Sequence, residues 1–222
     1  MLPSKTKDMM NEINETRRRG DCFKLLAACF YEPGRSLLIA EKVGEKLWLL
    51  LDGQAPDAAR AGRDMQNGLQ ELDQEKMSVD HAALFVGPFE LLAAPYGSVY
   101  VDKSRRVMGE STMIAGRYYQ EADLSVTIKE PPDHIIIELE FMYYLCSKEA
   151  SAAENGLEDD SRKFRDIQVR FFNDIMKPWI PHFCKAITGG TDNTFYIHLS
   201  ECLGHFMSLC ENVYSKNMAL VE

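Results

Sequence analysis

Long hydrophobic runs and paired cysteines are both missing from this sequence of 222 residues. No apolar segment approaches the roughly 20 residues that a membrane-spanning helix needs, so we expect no stable insertion into a membrane. The six cysteines include no Cys-x-x-Cys pair, and a chain of this length has no need of a disulfide framework. We therefore expect free thiols in a reducing, cytoplasmic compartment.

The sequence also has few basic residues relative to acidic ones. The 25 basic side chains are outnumbered by 34 acidic ones, which gives a formal net charge of −9. This balance argues against a nucleic-acid partner and favours a cationic one. The basic run Arg17-Arg18-Arg19 could be mistaken for an export signal, but the apolar stretch behind it is short and ends at Glu32-Pro33. We therefore assign this run to a first helix.

Alternating polar and apolar residues, the pattern of a strand, are missing as well. Apolar residues recur instead every three or four positions between proline and glycine breaks, which indicates an all-α protein of about nine helices. We expect one compact domain, 1–222, with an N-terminal half at about 1–122 and a C-terminal half at about 133–222, joined near 123–132. The predicted helices end before Pro33, run from Ser36 to Leu51 and from Ala58 to Gln74, and begin again near Ser78 or Asp80, Ser111, His134, Ser161 and Asn193.

The stretch Glu130-Pro131-Pro132-Asp133-His134 precedes the most apolar of these helices. The two prolines stop a helix from running through it, and Asp133 is well placed to cap the next turn by accepting from its free N–H groups. Residues 135–145 are apolar nearly all round, which predicts a central, buried helix. Glu138 interrupts this apolar surface, and His134 can meet it one turn away.

The His134–Glu138 pair has more than one interpretation. It can be a structural pair that only holds the fold, because buried charges are usually paired. It can instead belong, with Asp133, to a recognition site at the mouth of the helix, or act as the acid–base dyad of a small helical hydrolase. The hydrolase is an alternative without a supporting motif, since the sequence has no Gly-x-Ser-x-Gly and no Gly-x-x-x-x-Gly-Lys phosphate loop.

The C-terminal helix carries potential metal ligands. His198, Cys202 and His205 can share one face of it, and imidazole and thiolate are the ligands that zinc prefers. Three ligands from a single helix do not close a tetrahedron, however, and this face adjoins the apolar stripe of the helix. We therefore expect neither a bound metal nor a cofactor.

The segment from Pro88 to Met108 has no clear period, and about twenty irregular residues inside a compact domain often carry function. Pro95, Tyr96, Val99 and Tyr100 place rigid apolar and aromatic groups on it, with carboxylates nearby in the sequence. Such a surface suits a peptide that has both arginines and an apolar run. The alternative is that these tyrosines only cover the core.

Four blocks in a fixed order resemble the TorD/DmsD family of cytoplasmic chaperones, which serve the maturation of molybdenum-containing redox enzymes. The blocks cover residues 80–145 densely, and together they are specific although no single one would be. They are Asp80-His81-x-x-Leu84-Phe85-x-Gly87-Pro88, Ala94-Pro95-Tyr96-Gly97-Ser98-Val99-Tyr100-x-Asp102, Met108-Gly109-Glu110-Ser111-Thr112, and Glu130-Pro131-Pro132-Asp133-His134 with Glu138-Leu139.

The resemblance implies an all-helical chaperone that is not an enzyme and has no catalytic residues. It implies as partners the twin-arginine signal peptide and the immature catalytic subunit of a molybdoenzyme of anaerobic respiration, similar to DMSO reductase, held until cofactor insertion and export. It also implies a monomer or a domain-swapped dimer, with 123–132 as a plausible hinge. Carried over by position, the signal-peptide-binding residues are Pro95, Tyr96, Ser98, Val99, Tyr100, Asp133, His134 and Glu138.

This sequence departs from the family pattern at several of these positions. Ala94 stands where a first proline is usual, Tyr96 and Tyr100 stand where the DmsD branch tends to have tryptophan, and His81 replaces a frequent tyrosine. These departures bear on which enzyme is the client. The sequence leaves open the client's identity and the binding of a nucleotide.

Overall fold

The computed structural model describes residues 4–87, 90–102, 106–124 and 130–218, and their regular structure is helical throughout. This confirms the predicted all-α class, with eleven α-helices in these ranges where the spacing predicted about nine. The helices are α1 (Ser4–Phe30), α2 (Arg35–Ala40), α3 (Val43–Leu51), α4 (Pro56–Glu71), α5 (Gln74–His81), α6 (Gly97–Val101), α7 (Glu110–Glu121), α8 (Ile135–Glu154), α9 (Glu158–Phe171), α10 (Ile180–Gly190) and α11 (Thr194–Met218), and π-helical turns at Ala82–Val86 and Phe172–Met176 extend α5 and α9.

The central, buried helix predicted from the sequence is α8. Its Ile135, Leu139 and Met142 side chains are fully buried, because α1 and α9 pack against it. Helix α1 comes especially close at Gly20, where an added Cβ would lie only 2.9 Å from the Cβ of Cys146. The apolar circumference of α8 is therefore covered by neighbouring helices, as a helix without a polar face requires.

The helix predicted from Ser36 to Leu51 is divided in the structure. Lys42 adopts a left-handed conformation (φ 50°) between α2 and α3, and this single residue ends one helix and starts the next. The end of α3 is closed by Arg18 of α1, whose guanidinium group donates to the carbonyl oxygens of Leu49 and Asp52 at 3.3 and 3.2 Å. Periodicity misses this break because the apolar spacing continues through it.

Several predicted helix starts are displaced by one to six residues. Asp73 caps α5 by accepting from the N–H of Lys76 at 2.8 Å, so this helix begins before Ser78 and Asp80. The last helix begins as expected, since the side chain of Asn193 accepts from the N–H of Phe195 at 3.0 Å. A polar residue near a helix start is a cap only when its side chain reaches the free N–H groups.

Helices of the two predicted halves pack together within the described residues. Helix α1 packs against α8, and α4 packs against α11, so both halves contribute to a shared core. The joining segment predicted at 123–132 lies partly outside the described ranges, and its role as a hinge stays a prediction. None of the described helices is both long enough and apolar enough to span a membrane.

The basic run of α1 is structural, as its assignment to a first helix predicted. Arg19 lies between α1 and α8, 3.7 Å from the carboxylate of Glu149, which is itself only 2% exposed. Arg165 of α9 donates to the same carboxylate at 2.8 Å, and Gln168 donates to it at 2.7 Å. A buried carboxylate is stabilised when it has this many donors, and the network ties α1, α8 and α9 together.

Candidate functional site

A groove with a volume of about 430 Å³ opens where the end of α1, the π-turn after α5, the chain before α6 and the start of α8 meet. Its lining is mostly apolar and aromatic, and the charged side chains that line it in the described part of the chain are acidic. The lining residues are Phe30, Tyr31, Glu32, His81, Phe85, Val86, Leu91, Pro95, Tyr96, Glu130, His134, Ile135 and Ile136.

Backbone hydrogen bonds join two sequence blocks at the base of this groove. The N–H of Ile135 donates to the carbonyl oxygen of Pro95 at 2.9 Å, and the N–H of Gly97 donates to that of Asp133 at 3.0 Å. These bonds form an isolated antiparallel bridge between the chain before α6 and the chain before α8. The prolines that precede α8 keep this segment extended, so it can pair with another extended segment.

Tyr96 and His134 stand side by side at this bridge. Their rings meet edge to face with centroids 5.1 Å apart, and the Tyr96 hydroxyl donates to Glu130 at 3.1 Å. Burial raises the pKa of Tyr96 to about 12 and lowers the pKa of His134 below 6.5, against the opposing effect of Glu130 and Asp133. Near neutral pH the groove therefore presents a neutral imidazole and a neutral phenol.

A second tyrosine–carboxylate pair lies at the end of α1. The Tyr31 hydroxyl donates to Glu140 of α8 at 2.6 Å, and its ring lines the groove while remaining 48% exposed. Burial of the hydroxyl and its bond to Glu140 raise the pKa of Tyr31 to about 12. The groove thus has a ring next to a carboxylate at two places, Tyr31 with Glu140 and Tyr96 with Glu130.

The structure separates the predicted peptide-binding residues into three groups. Pro95, Tyr96 and His134 line the groove. Val99 and Tyr100 are half-buried on α6, and the Tyr100 ring stacks on Trp179, with centroids 5.7 Å apart, instead of lining the groove. The other three predicted residues, Ser98, Asp133 and Glu138, are buried in the wall behind it.

Asp133 does not have the position that the sequence predicted. The cap of α8 is His134, whose Nδ1 accepts from the N–H of Ile136 at 3.2 Å. Asp133 is 1% exposed, and its carboxylate accepts from the N–H of Ser98 at 2.7 Å. It therefore holds the start of α6 in place and is not available to bind an arginine from solution. The bridge between the two chain segments turns this side chain towards α6 and away from α8.

Glu138 does not pair with His134. It is fully buried, and its Oε2 accepts from the indole N–H of Trp179 at 3.0 Å. Burial, with a further contribution from Asp133, raises the pKa of Glu138 well above its ordinary value of 4.5. An acid–base dyad requires two groups within hydrogen-bond reach that also meet a substrate, so the alternative of a hydrolase using this pair is wrong.

The potential metal ligands considered on the last helix have other partners or surroundings. His198 bonds to Glu201 at 2.8 Å, and Cys202 is fully buried in the apolar core. Within the described ranges no three histidine, cysteine or acidic side chains are grouped as a metal ion requires. All six cysteines have free thiols, and burial raises the pKa of Cys202 and Cys29, which leaves both unreactive.

Sequence reasoning missed the contribution of α1 and α5 to the groove. Tyr31 and Glu32 follow the last turn of α1, where the sequence showed only a helix ending before Pro33. His81 lies across from them, with its Nε2 3.1 Å from the carbonyl oxygen of Phe30. His81 and Phe85 belong to the first of the four sequence blocks, which was the available signal, whereas nothing in the sequence pointed to Tyr31.

Three comparisons place this architecture among known proteins. The profile of the family described as the nitrate reductase delta subunit matches residues 52–185. Chaperone protein TorD of Aliivibrio salmonicida is 27% identical over 210 residues, 90% of this chain and 96% of that protein. The selenate reductase assembly chaperone protein of Thauera selenatis is 29% identical over 159 residues, 68% of this chain and 78% of that protein. Other curated relatives are named as the chaperone DmsD.

A solved structure confirms the fold. It is described as a redox enzyme maturation protein from Archaeoglobus fulgidus, and it superposes with a TM-score of 0.51 at 20% identity, covering 88% of this chain and 93% of that one. The chain therefore belongs to the nitrate reductase delta subunit family and is, as its sequence blocks predicted, related to the TorD/DmsD chaperones and not to enzymes.

Proposed function

We propose that this protein is a cytoplasmic chaperone that binds the twin-arginine signal peptide and the immature catalytic subunit of a molybdenum-containing oxidoreductase, and holds them until the cofactor is inserted. The observation that carries the proposal is the groove, which combines aromatic and apolar walls with an acidic rim. The names of the relatives support a redox enzyme as the client, since they include assembly chaperones of selenate and chlorate reductase.

The acidic rim suits the paired arginines of such a signal. A guanidinium group is planar, so it can stack on a tyrosine ring and donate two parallel bonds to a carboxylate. Tyr96 with Glu130 and Tyr31 with Glu140 each offer a ring and a carboxylate together. These carboxylates take the role that the sequence had assigned to Asp133, which is buried.

The walls of the groove suit the apolar run that follows the arginines. Phe85, Pro95 and Ile136 line it, and Val86 at its edge is 65% exposed. Burial of such side chains by a peptide supplies most of the affinity, at roughly 25 cal/mol per Å² of apolar surface before the costs of ordering. The carboxylates then set the orientation of the peptide and its rate of association.

The test is titration of the client's signal peptide against wild-type protein and a matched pair of tyrosine variants. Tyr96→Ala removes a groove ring and should weaken binding by roughly 1–2 kcal/mol, the usual cost of truncating an aromatic anchor. Tyr144→Ala removes a half-buried ring that meets Phe164 of α9, away from the groove, and should leave the affinity unchanged.

The peptide itself provides a second control. Replacing both of its arginines by lysine keeps the charge but removes the planar fork, so binding should weaken in the wild-type protein. Equal affinities of wild type, Tyr96→Ala and Tyr144→Ala, in variants that retain the helical spectrum, would show that the peptide binds outside the groove.

A further inference from the structure

Behind the wall of the groove lies a set of buried polar atoms whose hydrogen-bond partners are incomplete. Oε1 of Glu138, Oδ1 of Asp133 and the hydroxyl of Ser98 are all buried and lack a partner. The three residues are 0%, 1% and 0% exposed. Buried oxygens are nearly always hydrogen-bonded, so carboxyl oxygens without a donor call for an explanation, and a proton held by one of the two carboxyl groups supplies one.

Both carboxyl groups support α6, the helix that directly follows the groove residues Pro95 and Tyr96. Asp133 accepts from the N–H of Ser98 at 2.7 Å. Glu138 accepts from the indole N–H of Trp179 at 3.0 Å, and this indole lies directly under Gly97, where an added Cβ would be 3.1 Å from its Nε1. The position of α6 therefore depends on Asp133 directly and on Glu138 through the indole of Trp179.

Among the described residues, no positively charged side chain lies beside Glu138 to compensate an ionised carboxylate. The titratable groups that face it are Asp133, from the segment before α8, and Tyr119, from α7; its remaining polar neighbour is the indole of Trp179. Within the described residues no lysine or arginine forms an ion pair with it. An ionised Glu138 would be a buried charge beside a second acidic group, an arrangement that costs several kcal/mol.

Glu149 on the same helix shows the opposite arrangement. It is 2% exposed, and it accepts from Arg165 at 2.8 Å and from Gln168 at 2.7 Å, with Arg19 at 3.7 Å. This carboxylate is buried with cations and donors, whereas Glu138 is buried with an acid and one donor. The pair gives a matched internal comparison of a buried glutamate that has basic partners and one that has none among the described residues.

Resting on the proposed function, we propose that Glu138 is a positioning residue that keeps its proton in the folded protein. It thereby fixes α6 and, with it, the groove residues Pro95 and Tyr96 that directly precede this helix. One oxygen accepts from Trp179, and the O–H of the other is directed to the side of Asp133. Raising the pH removes this proton, separates the two carboxylates and loosens α6. Peptide affinity is therefore sensitive to alkaline pH through a residue that the peptide does not touch.

Two substitutions of Glu138 test the positioning role. Glu138→Gln keeps an acceptor for Trp179 and a donor towards Asp133 but cannot ionise, so its affinity for the signal peptide should stay within about threefold of wild type. It should also lose the alkaline decline of affinity that wild type shows. Glu138→Leu removes both bonds and should weaken binding by about tenfold or more. Equal binding by wild type and Glu138→Leu would overturn the positioning role.

Stability against pH tests the proton itself, with Glu149→Gln as the control. The unfolded chain releases the Glu138 proton near its ordinary pKa of 4.5 and the folded chain holds it to higher pH, so wild type should lose stability relative to Glu138→Gln as the pH rises through this window. Glu138→Gln should not show this loss. Glu149→Gln should lower the denaturant midpoint already at pH 6, because it weakens a charged network. If Glu138→Gln lowers the midpoint at pH 6 as Glu149→Gln does, Glu138 is ionised and the proposal fails.

The two proposals fail in distinguishable ways. If wild type does not bind the signal peptide, the proposed function is wrong, while the stability measurements still decide whether Glu138 keeps its proton. If wild type binds and the affinities of wild type and Glu138→Gln fall in parallel at alkaline pH, the peptide function stands and the role of Glu138 is wrong.

Discussion

At the scale of single residues, neighbouring positions in one sequence block have different environments. His134 lines the groove, whereas Asp133, one residue earlier, is buried and holds α6. Extended backbone directs successive side chains to opposite sides, so one of two adjacent residues faces the groove and the other faces the interior. A block that resembles a family motif therefore combines peptide contacts with supporting contacts.

His134 gives a prediction of pH dependence at this scale. Burial, reinforced by His81, lowers its pKa in the folded protein below 6.5, against the opposing effect of Glu130 and Asp133. In the range below 6.5 the unfolded chain binds a proton that the folded chain does not, so stability should fall as the pH falls. A charged imidazole would also repel the arginines of a bound peptide. Both peptide affinity and the denaturant midpoint should therefore decrease from pH 7 to pH 5.

The matched variant for this measurement is His134→Asn, which can still cap α8 but does not titrate. Its affinity and stability should change less than those of wild type over the same range of pH. Identical profiles for wild type and His134→Asn would assign the acid sensitivity to another group, such as His81, whose pKa burial also lowers.

At the scale of helices, the contact between α1 and α8 sets the end of α1 beside the groove. The two helices approach most closely at Gly20, where a Cβ would meet Cys146 at 2.9 Å, under the distance that real Cβ atoms show. Tyr31 and Glu32 follow at the end of this same α1 helix. Their presence in the groove therefore depends on helix packing three turns away, which is the reason that no local signal revealed them.

Gly20→Ala should consequently destabilise the protein by about 1–3 kcal/mol, since overpacking moves the helices apart. Gly116→Ala is the control, because it also lies within a helix but its added Cβ would find its nearest neighbour 3.9 Å away, at Pro132. That substitution should stabilise by roughly 0.5–1 kcal/mol through helix propensity alone. Denaturant midpoints compare the two variants. An equal gain in stability for both would show that α1 and α8 can move apart at Gly20 at little cost in free energy.

At the scale of the whole molecule, net charge affects the association rate of a partner more than its dissociation rate. The protein carries a net charge of −9, and the proposed peptide is cationic. Long-range attraction of this kind is screened as salt is added, because the Debye length falls from about 10 Å at 0.1 M to about 3 Å at 1 M. The apolar contacts inside the groove are not screened.

Raising the ionic strength should therefore slow association of the signal peptide while changing its dissociation rate much less. Stopped-flow measurements from about 0.05 M to about 0.5 M salt separate the two rates. The peptide with two lysines has the same charge, so its association rate should show the same salt dependence even though it binds less tightly. A salt effect confined to dissociation would indicate that the ion pairs in the bound state, and not the net charge, control the affinity.

The sequence by itself determined the all-α class, the central helix and the family, because these depend on periodicity, composition and local blocks. It also identified Pro95, Tyr96 and His134 as candidate peptide-binding residues, and all three line one groove in the structure. Only the tertiary structure decided that Asp133 and Glu138 are buried behind the groove, and that Tyr31, bonded to Glu140, and Glu32 line it. The physical reason is that the exposure and partners of a side chain are set by helix packing across the whole chain, which residue spacing within one helix does not record.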